Sequence, residues 1–214
     1  MNRTEFESLA IQEVLERQFP GRRAQLKRHI LQAGLACFNE QGLEPTTIEQ
    51  IRERCETSVG NIYHHFGNKE GLIAALFFCA LDDQARLRKH YLDMAKTAEA
   101  GVAALVHSYL DWVTAEPELA RFQFQARSSV ARGSMAAALA ERNRQRNSQL
   151  RDWLSDPSRL AGLAQVPIEL MPSLIIGQAE SYCRAWLSGR VKTAPDHFRE
   201  PLAHTAWASL QSFR

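Results

Sequence analysis

Apolar residues in this chain recur at helical spacing almost from end to end, and no run alternates as a half-buried strand would. That periodicity restricts the fold to an all-α one, with Gly and Pro marking where helices stop. Residues 4–18 place Phe6, Leu9, Ala10 and Val14 on one face and end at Pro20-Gly21. A second helix is expected over 22–41, burying Leu31, Leu35 and Phe38, with Gly42 to end it. Thr46-Thr47-Ile48-Glu49 has the spacing of a capping box, so a short helix starts there with Ile48, Ile51 and Cys55 as its apolar stripe. Ser58 caps another short helix, whose inward residues Ile62 and Phe66 are four apart. Gly67-Asn68 breaks it, and Lys69 opens a long helix reaching about Met94. Further helices are expected near 98–115, 118–130, 134–154, 172–188 and 198–213, with 155–167 the loosest segment.

At 214 residues the chain can bury a core without staples. Its net charge is only +2, so a nucleic-acid surface would have to be local. Cys37, Cys55, Cys79 and Cys183 form no CxxC pair and read as buried, reduced thiols. No secretory signal appears, and the longest apolar stretch, from Leu72, meets charge well short of a membrane span. The expectation is a soluble, cytoplasmic protein without cofactor or metal.

Two short helices joined by a tight turn on a longer preceding helix describe a helix-turn-helix, whose second helix enters the DNA major groove. A helical wheel over SVGNIYHHF, residues 58–66, tests this. With Ile62 and Phe66 inward, Gly60, Asn61 and His64 point away from the core, and Tyr63 and His65 flank the buried stripe. The outward face is small and polar with aromatic donors at its edges. Metal binding does not fit, because adjacent histidines diverge by about 100° whereas helical ligands need spacings of three or four.

The run KRHILQAGLACFNEQGLEPTTIEQIRERCETSVGNIYHHFGNKEGLIAALF strongly resembles the DNA-binding domain of TetR-family transcriptional regulators. The match rests on the F-x-E-x-G helix end, the Thr-Thr opening, Ile51, Ser58-x-Gly60, Ile62-Tyr63-x-His65-Phe66 and Lys69-Glu70-x-Leu72. The chain departs from the family in its turn, where Cys55-Glu56-Thr57 replaces the usual Ala-Gly-Val, and at Arg52, where Ala is common. Wheel and resemblance together give several roles. Gly60 lets the backbone approach DNA, Asn61 pairs with adenine, and His64 donates to a guanine or a phosphate. Val59 stays ambiguous between the core edge and a thymine methyl. Tyr63, His65, Thr47 and Lys69 hold phosphates, with Arg22, Arg23, Lys27 and Arg28 as a basic entry.

The resemblance implies a three-helix reading domain over 22–68, preceded by a helical extension over 1–21. A long helix joins it to an effector-binding and dimerising domain over 69–214. It implies a homodimer through helices 172–188 and 198–213, with Ile175, Ala179, Tyr182 and Trp186 set against Leu202, Ala206, Leu210 and Phe213. Two subunits then meet a near-palindromic operator, and a small-molecule effector releases the repressor by shifting the long helix. Tyr109, Trp112, Phe122, Phe124 and Tyr182 are candidates to line the effector pocket, although aromatics at such spacing also form plain core. Arg142 and Arg146 share a face that reads as a solvated helix side. Glu180 and Arg184 either pair along one helix, orient a polar ligand or cross the interface. No G-x-S-x-G, H-E-x-x-H or glycine-rich phosphate loop is present, so no catalytic residue is expected. The competing reading is a helical small-molecule binding protein or enzyme whose helix-turn-helix no longer binds DNA.

Overall fold

The computed structural model describes residues 3–154, 156, 163 and 165–213, with side chains in 3–10 and at 149, 151 and 154 left aside. Most of the expected loose segment over 155–167 therefore lies outside the described residues, as do the side chains of Phe6, Leu9 and Ala10. Among the described residues there are ten α-helices and no strand. They are α1 (Arg3–Gln18), α2 (Gln25–Gln41), α3 (Ile48–Arg54), α4 (Val59–Phe66) and α5 (Lys69–Met94). There follow α6 (Ala98–Ala115), α7 (Pro117–Arg132), α8 (Ala136–Leu154), α9 (Met171–Leu187) and α10 (Arg199–Gln211). Short 3-10 turns at Arg22–Ala24 and Pro195–Phe198 lead into α2 and α10. Among the described residues no helix is long and apolar enough to cross a membrane.

The chain forms two compact units, one of residues 1–83 with 116–142, the other of 84–115 with 143–214. Residues 22–68 lie wholly in the first. Its core gathers Ile30, Leu31 and Phe38 of α2, Ile51 of α3, Ile62 of α4, Leu72 and Leu76 of α5, and Leu119 and Phe122 of α7. Phe38 and Phe122 meet with ring centroids 5.6 Å apart. Helix α1 packs on α2 and α7 through buried Ile11, Val14 and Leu15. Its Arg17 donates to the nearly buried Asp83 of α5 at 3.0 Å. Arg28 fastens the bend after α1 by donating to the carbonyls of Phe19 (2.6 Å) and Gly21 (2.9 Å).

In the second unit α6 is the central helix, with Val106, Leu110, Trp112 and Val113 fully enclosed. Helices α9 and α10 both pack on it. Ile175, Ala179 and Cys183 come from α9, and Ala203, Ala206 and Leu210 from α10. Asp111 of α6 ties its neighbours, accepting from the Tyr91 hydroxyl at 2.5 Å and pairing with Arg199 at 3.2 Å. Trp153 donates to the Leu92 carbonyl at 2.9 Å, and its indole lies so close over Gly101 that a Cβ there would sit 1.9 Å from the ring. All four cysteines are buried and unpaired with one another, and burial pushes the Cys79 and Cys183 thiols up to about 12.

Candidate nucleic-acid interface

The start of α3 is decided by which of two adjacent threonines faces the core. Thr46 is fully buried and donates its hydroxyl to the carbonyls of Gly42 (2.7 Å) and Cys37 (3.2 Å), closing the end of α2. Thr47 is the cap: its Oγ1 accepts from the Gln50 amide, and the Gln50 side chain accepts from the Thr47 amide at 2.8 Å. The capping box thus sits one residue later than the Thr46–Glu49 spacing suggests. Glu49 is instead bonded to Arg52 at 2.6 Å. At the far end of α3, Arg54 grips Glu40 of α2 in a two-pronged pair at 2.6 and 2.7 Å. That bond holds the Glu40 carboxyl below its usual range.

The turn from α3 to α4 runs through Glu56, which has φ 48° and is the one described non-glycine residue with positive φ. The left-handed conformation costs a residue with a Cβ about 1–2 kcal/mol, so Glu56 carries a local strain that a glycine would not. Ser58 then caps α4 by accepting from the Asn61 amide at 3.1 Å.

On α4, Ile62 is completely buried, while Gly60, Asn61 and His64 are exposed. Tyr63 is 47% exposed, and Val59, His65 and Phe66 are half-buried. The Asn61 amide nitrogen donates to the Thr57 hydroxyl at 3.0 Å. This bond uses one amide proton and leaves the carbonyl oxygen and the second amide proton for another partner. A Cβ on Gly60 would meet only the Ser58 hydroxyl, at 3.7 Å, so nothing inside the protein requires glycine there. His65 stands edge-on to His64 with ring centroids 5.3 Å apart. Burial first, then His64 and Lys27, lowers its pKa.

The basic residues divide. Arg22 and Arg23 are exposed on the turn before α2. Lys27 sits 4.1 Å over the Phe19 ring and Arg28 is engaged with the bend carbonyls. Lys69 is half-buried, and its ammonium donates to the carbonyls of Leu43, Glu44 and Thr46, each at 3.0 Å. Sequence reasoning placed this lysine at a phosphate; its three protons are taken by the α2–α3 turn.

Of the five aromatic residues considered for an effector pocket, Phe122 and Phe124 belong to the first unit and Tyr109, Trp112 and Tyr182 to the second. Trp112 and Phe122 are enclosed core residues. Tyr182 donates to the Thr193 carbonyl at 3.0 Å, stacks edge-on against Phe198, and borders an open groove of about 660 Å³ with Ser173, Gly177, Ser181 and Leu202. Ile175, Ala179, Ala206 and Leu210, read from sequence as a stripe between subunits, are buried within the chain itself. Arg184 and Glu180 pair along α9 at 2.5 Å.

Residues 30–76 match the model of the bacterial regulatory proteins of the tetR family. The transcriptional repressor AcnR of Corynebacterium glutamicum is 31% identical over 101 residues, covering 44% of this chain and 49% of AcnR. The chain thus spans about half the length of this relative. Among solved structures, a TetR family regulator from Marinobacter aquaeolei shares the fold with TM-score 0.66 at 18% identity, covering 97% of this chain and 96% of that one. FadR of Bacillus subtilis, solved with stearoyl-CoA, has TM-score 0.64 at 16% identity over 86% of this chain and 98% of its own.

Proposed function

From a chain whose residues 30–76 match the model of the tetR family, we propose a homodimeric, cytoplasmic transcriptional repressor of that family that leaves its operator when a small molecule binds. Helix α4 enters the major groove. Gly60 brings the helix backbone against the DNA, and Asn61 gives its carbonyl oxygen and free amide proton to the N6 and N7 edge of adenine. His64 reaches the neighbouring base or phosphate, and Val59 lies against a thymine methyl. Tyr63, His65 and Thr47 hold the flanking phosphates, which set register and not sequence. The observation that carries this reading is the division of α4: Ile62 is fully buried, while Gly60, Asn61 and His64 are all exposed on the opposite side.

Dimerisation uses the outward faces of α9 and α10. Ser173, Gly177 and Ser181 on α9 and Leu202 on α10 border the 660 Å³ groove, while the apolar stripes of both helices go to the chain's own core. Small residues there permit close approach of a second copy, and two-fold symmetry then requires a near-palindromic site. The stearoyl-CoA bound to the Bacillus subtilis neighbour supports a small-molecule effector for this chain too. The effector acts by favouring a conformation in which α5 is displaced and the reading helices fit DNA less well.

Selection of bound duplex from fragmented genomic DNA tests the reading. The protein is expected to enrich a two-fold-symmetric sequence, and Asn61→Ala with Tyr63→Ala is expected to abolish that enrichment. Equal enrichment by the double variant contradicts it.

A further inference from the structure

We infer that Lys69 is a positioning residue, the tie through which the first turn of α5 holds the α2–α3 turn and with it Thr47 at the start of α3. An ammonium has three protons, and here the three carbonyls of Leu43, Glu44 and Thr46 surround it at 3.0 Å each. No proton remains for a DNA phosphate unless one of these bonds is given up. The turn it grips is fastened on its other side as well, since Thr46 bonds back to the carbonyls of Cys37 and Gly42. The residue after Thr46 is the α3 cap. A shift of Lys69 therefore carries the α3 N-terminus with it.

The same first turn of α5 is joined to the other short helix. Asn68 accepts from the Gly71 amide at 2.7 Å. A Cβ on Gly71 would lie 2.0 Å from the Phe66 carbonyl oxygen, so only glycine allows the end of α4 to press this closely on α5. Buried Leu72, one residue on, packs into α2 at Gly34, where a Cβ would lie 2.8 Å from its methyl. Four of the five residues 68–72, all but Glu70, thus hold α2, the α2–α3 turn and the end of α4 together. Rotation of α5 is delivered to both helices of the reading head at once, with Lys69 as the link to α3. The role rests on the DNA-binding reading above, and it replaces a phosphate contact for this lysine.

Arginine separates the two roles. Its charge suits a phosphate at least as well, but its planar fork cannot converge on three carbonyls around one point. With DNA fragments selected by the unmutated protein as probe, Lys69→Arg and Lys69→Met should both bind about tenfold more weakly, with the salt dependence unchanged. Amide hydrogen exchange over 46–50 should quicken in both without DNA. In the unmutated protein labelled with 15N-lysine, the Lys69 ammonium should give a slowly exchanging signal before DNA is added. A wild-type affinity for Lys69→Arg, together with a salt slope lowered by about 0.9 for Lys69→Met, would overturn the assignment. So would an ammonium signal that appears only with DNA. Should no DNA be selected at all, the regulator reading fails, and the exchange measurements still decide the place of Lys69.

Discussion

Helices α3 and α4 in the first unit and α9 and α10 in the second are both pairs packed on a longer helix, yet they divide their residues differently. The α3–α4 pair is short, seven and eight residues, and contributes single core anchors, Ile51 and Ile62. Its remaining surface is held by local hydrogen bonds, Thr47 with Gln50, Ser58 with Asn61 and Asn61 with Thr57. The α9–α10 pair is longer and commits a full stripe of each helix to the core against α6. What it leaves outward mixes small residues, Ser173, Gly177 and Ser181, with the charged Arg184, which pairs with Glu180. The first pair is therefore a polar display on few anchors, and the second a support packed along a full stripe of each helix. Substitutions that affect DNA affinity and stability separately test this contrast.

The largest effect expected is on the packed side. Trp112→Ala should lower stability by about 3–5 kcal/mol in denaturant titration, while the fraction that remains folded keeps its DNA affinity. Asn61→Ala should do the reverse, weakening operator binding by about 1–3 kcal/mol while loss of the exposed bond to Thr57 costs no more than about 1 kcal/mol of stability. Gly60→Ala sharpens that contrast. A methyl there makes only an ordinary contact with the Ser58 hydroxyl and removes glycine's helix penalty, so stability should rise by roughly 0.5–1 kcal/mol as DNA affinity falls. If affinity is retained, α4 does not lie against the groove by its Gly60 face. Glu56→Gly should relieve the positive-φ strain and stabilise the protein by about 1 kcal/mol; an unchanged denaturation midpoint would place the strain elsewhere.

The smallest effect is on pH. His65 and His107 both have pKa values lowered mainly by burial, His107 further by Arg199. The unfolded chain then binds protons more readily than the folded one below the ordinary histidine value of 6.5. Stability should be indifferent to pH above that point and decline as pH falls from it toward the folded-state values. His107→Gln should remove part of the decline in a melting series from pH 7.5 to 5.5.

Much of the architecture was legible from periodicity, because helix-forming stripes and their glycine or proline stops are local. The α4 face was legible for the same reason: nine residues with Ile62 and Phe66 four apart leave little choice about what points outward. What the sequence hid was decided by partners far along the chain. Two threonines, followed by Glu49 and Gln50, offer two capping registers, and only the α2 carbonyls under Thr46 choose between them. Lys69 looked like a phosphate ligand because its three acceptors are 23 to 26 residues away. Phe122 and Trp112 share aromatic character with Tyr182, but packing assigns them to cores in different units. The stripe of Ile175, Ala179, Ala206 and Leu210 was visible, whereas its direction, inward to α6, required the tertiary fold.

The most direct test is an equilibrium titration of the wild-type protein and Asn61→Ala on a selected operator and on duplexes carrying each single base-pair change within it. The account predicts that the wild type discriminates at one A·T pair in each half-site by about 1–3 kcal/mol and that Asn61→Ala loses discrimination at those pairs alone. Identical affinity and base preference for the two proteins would contradict it.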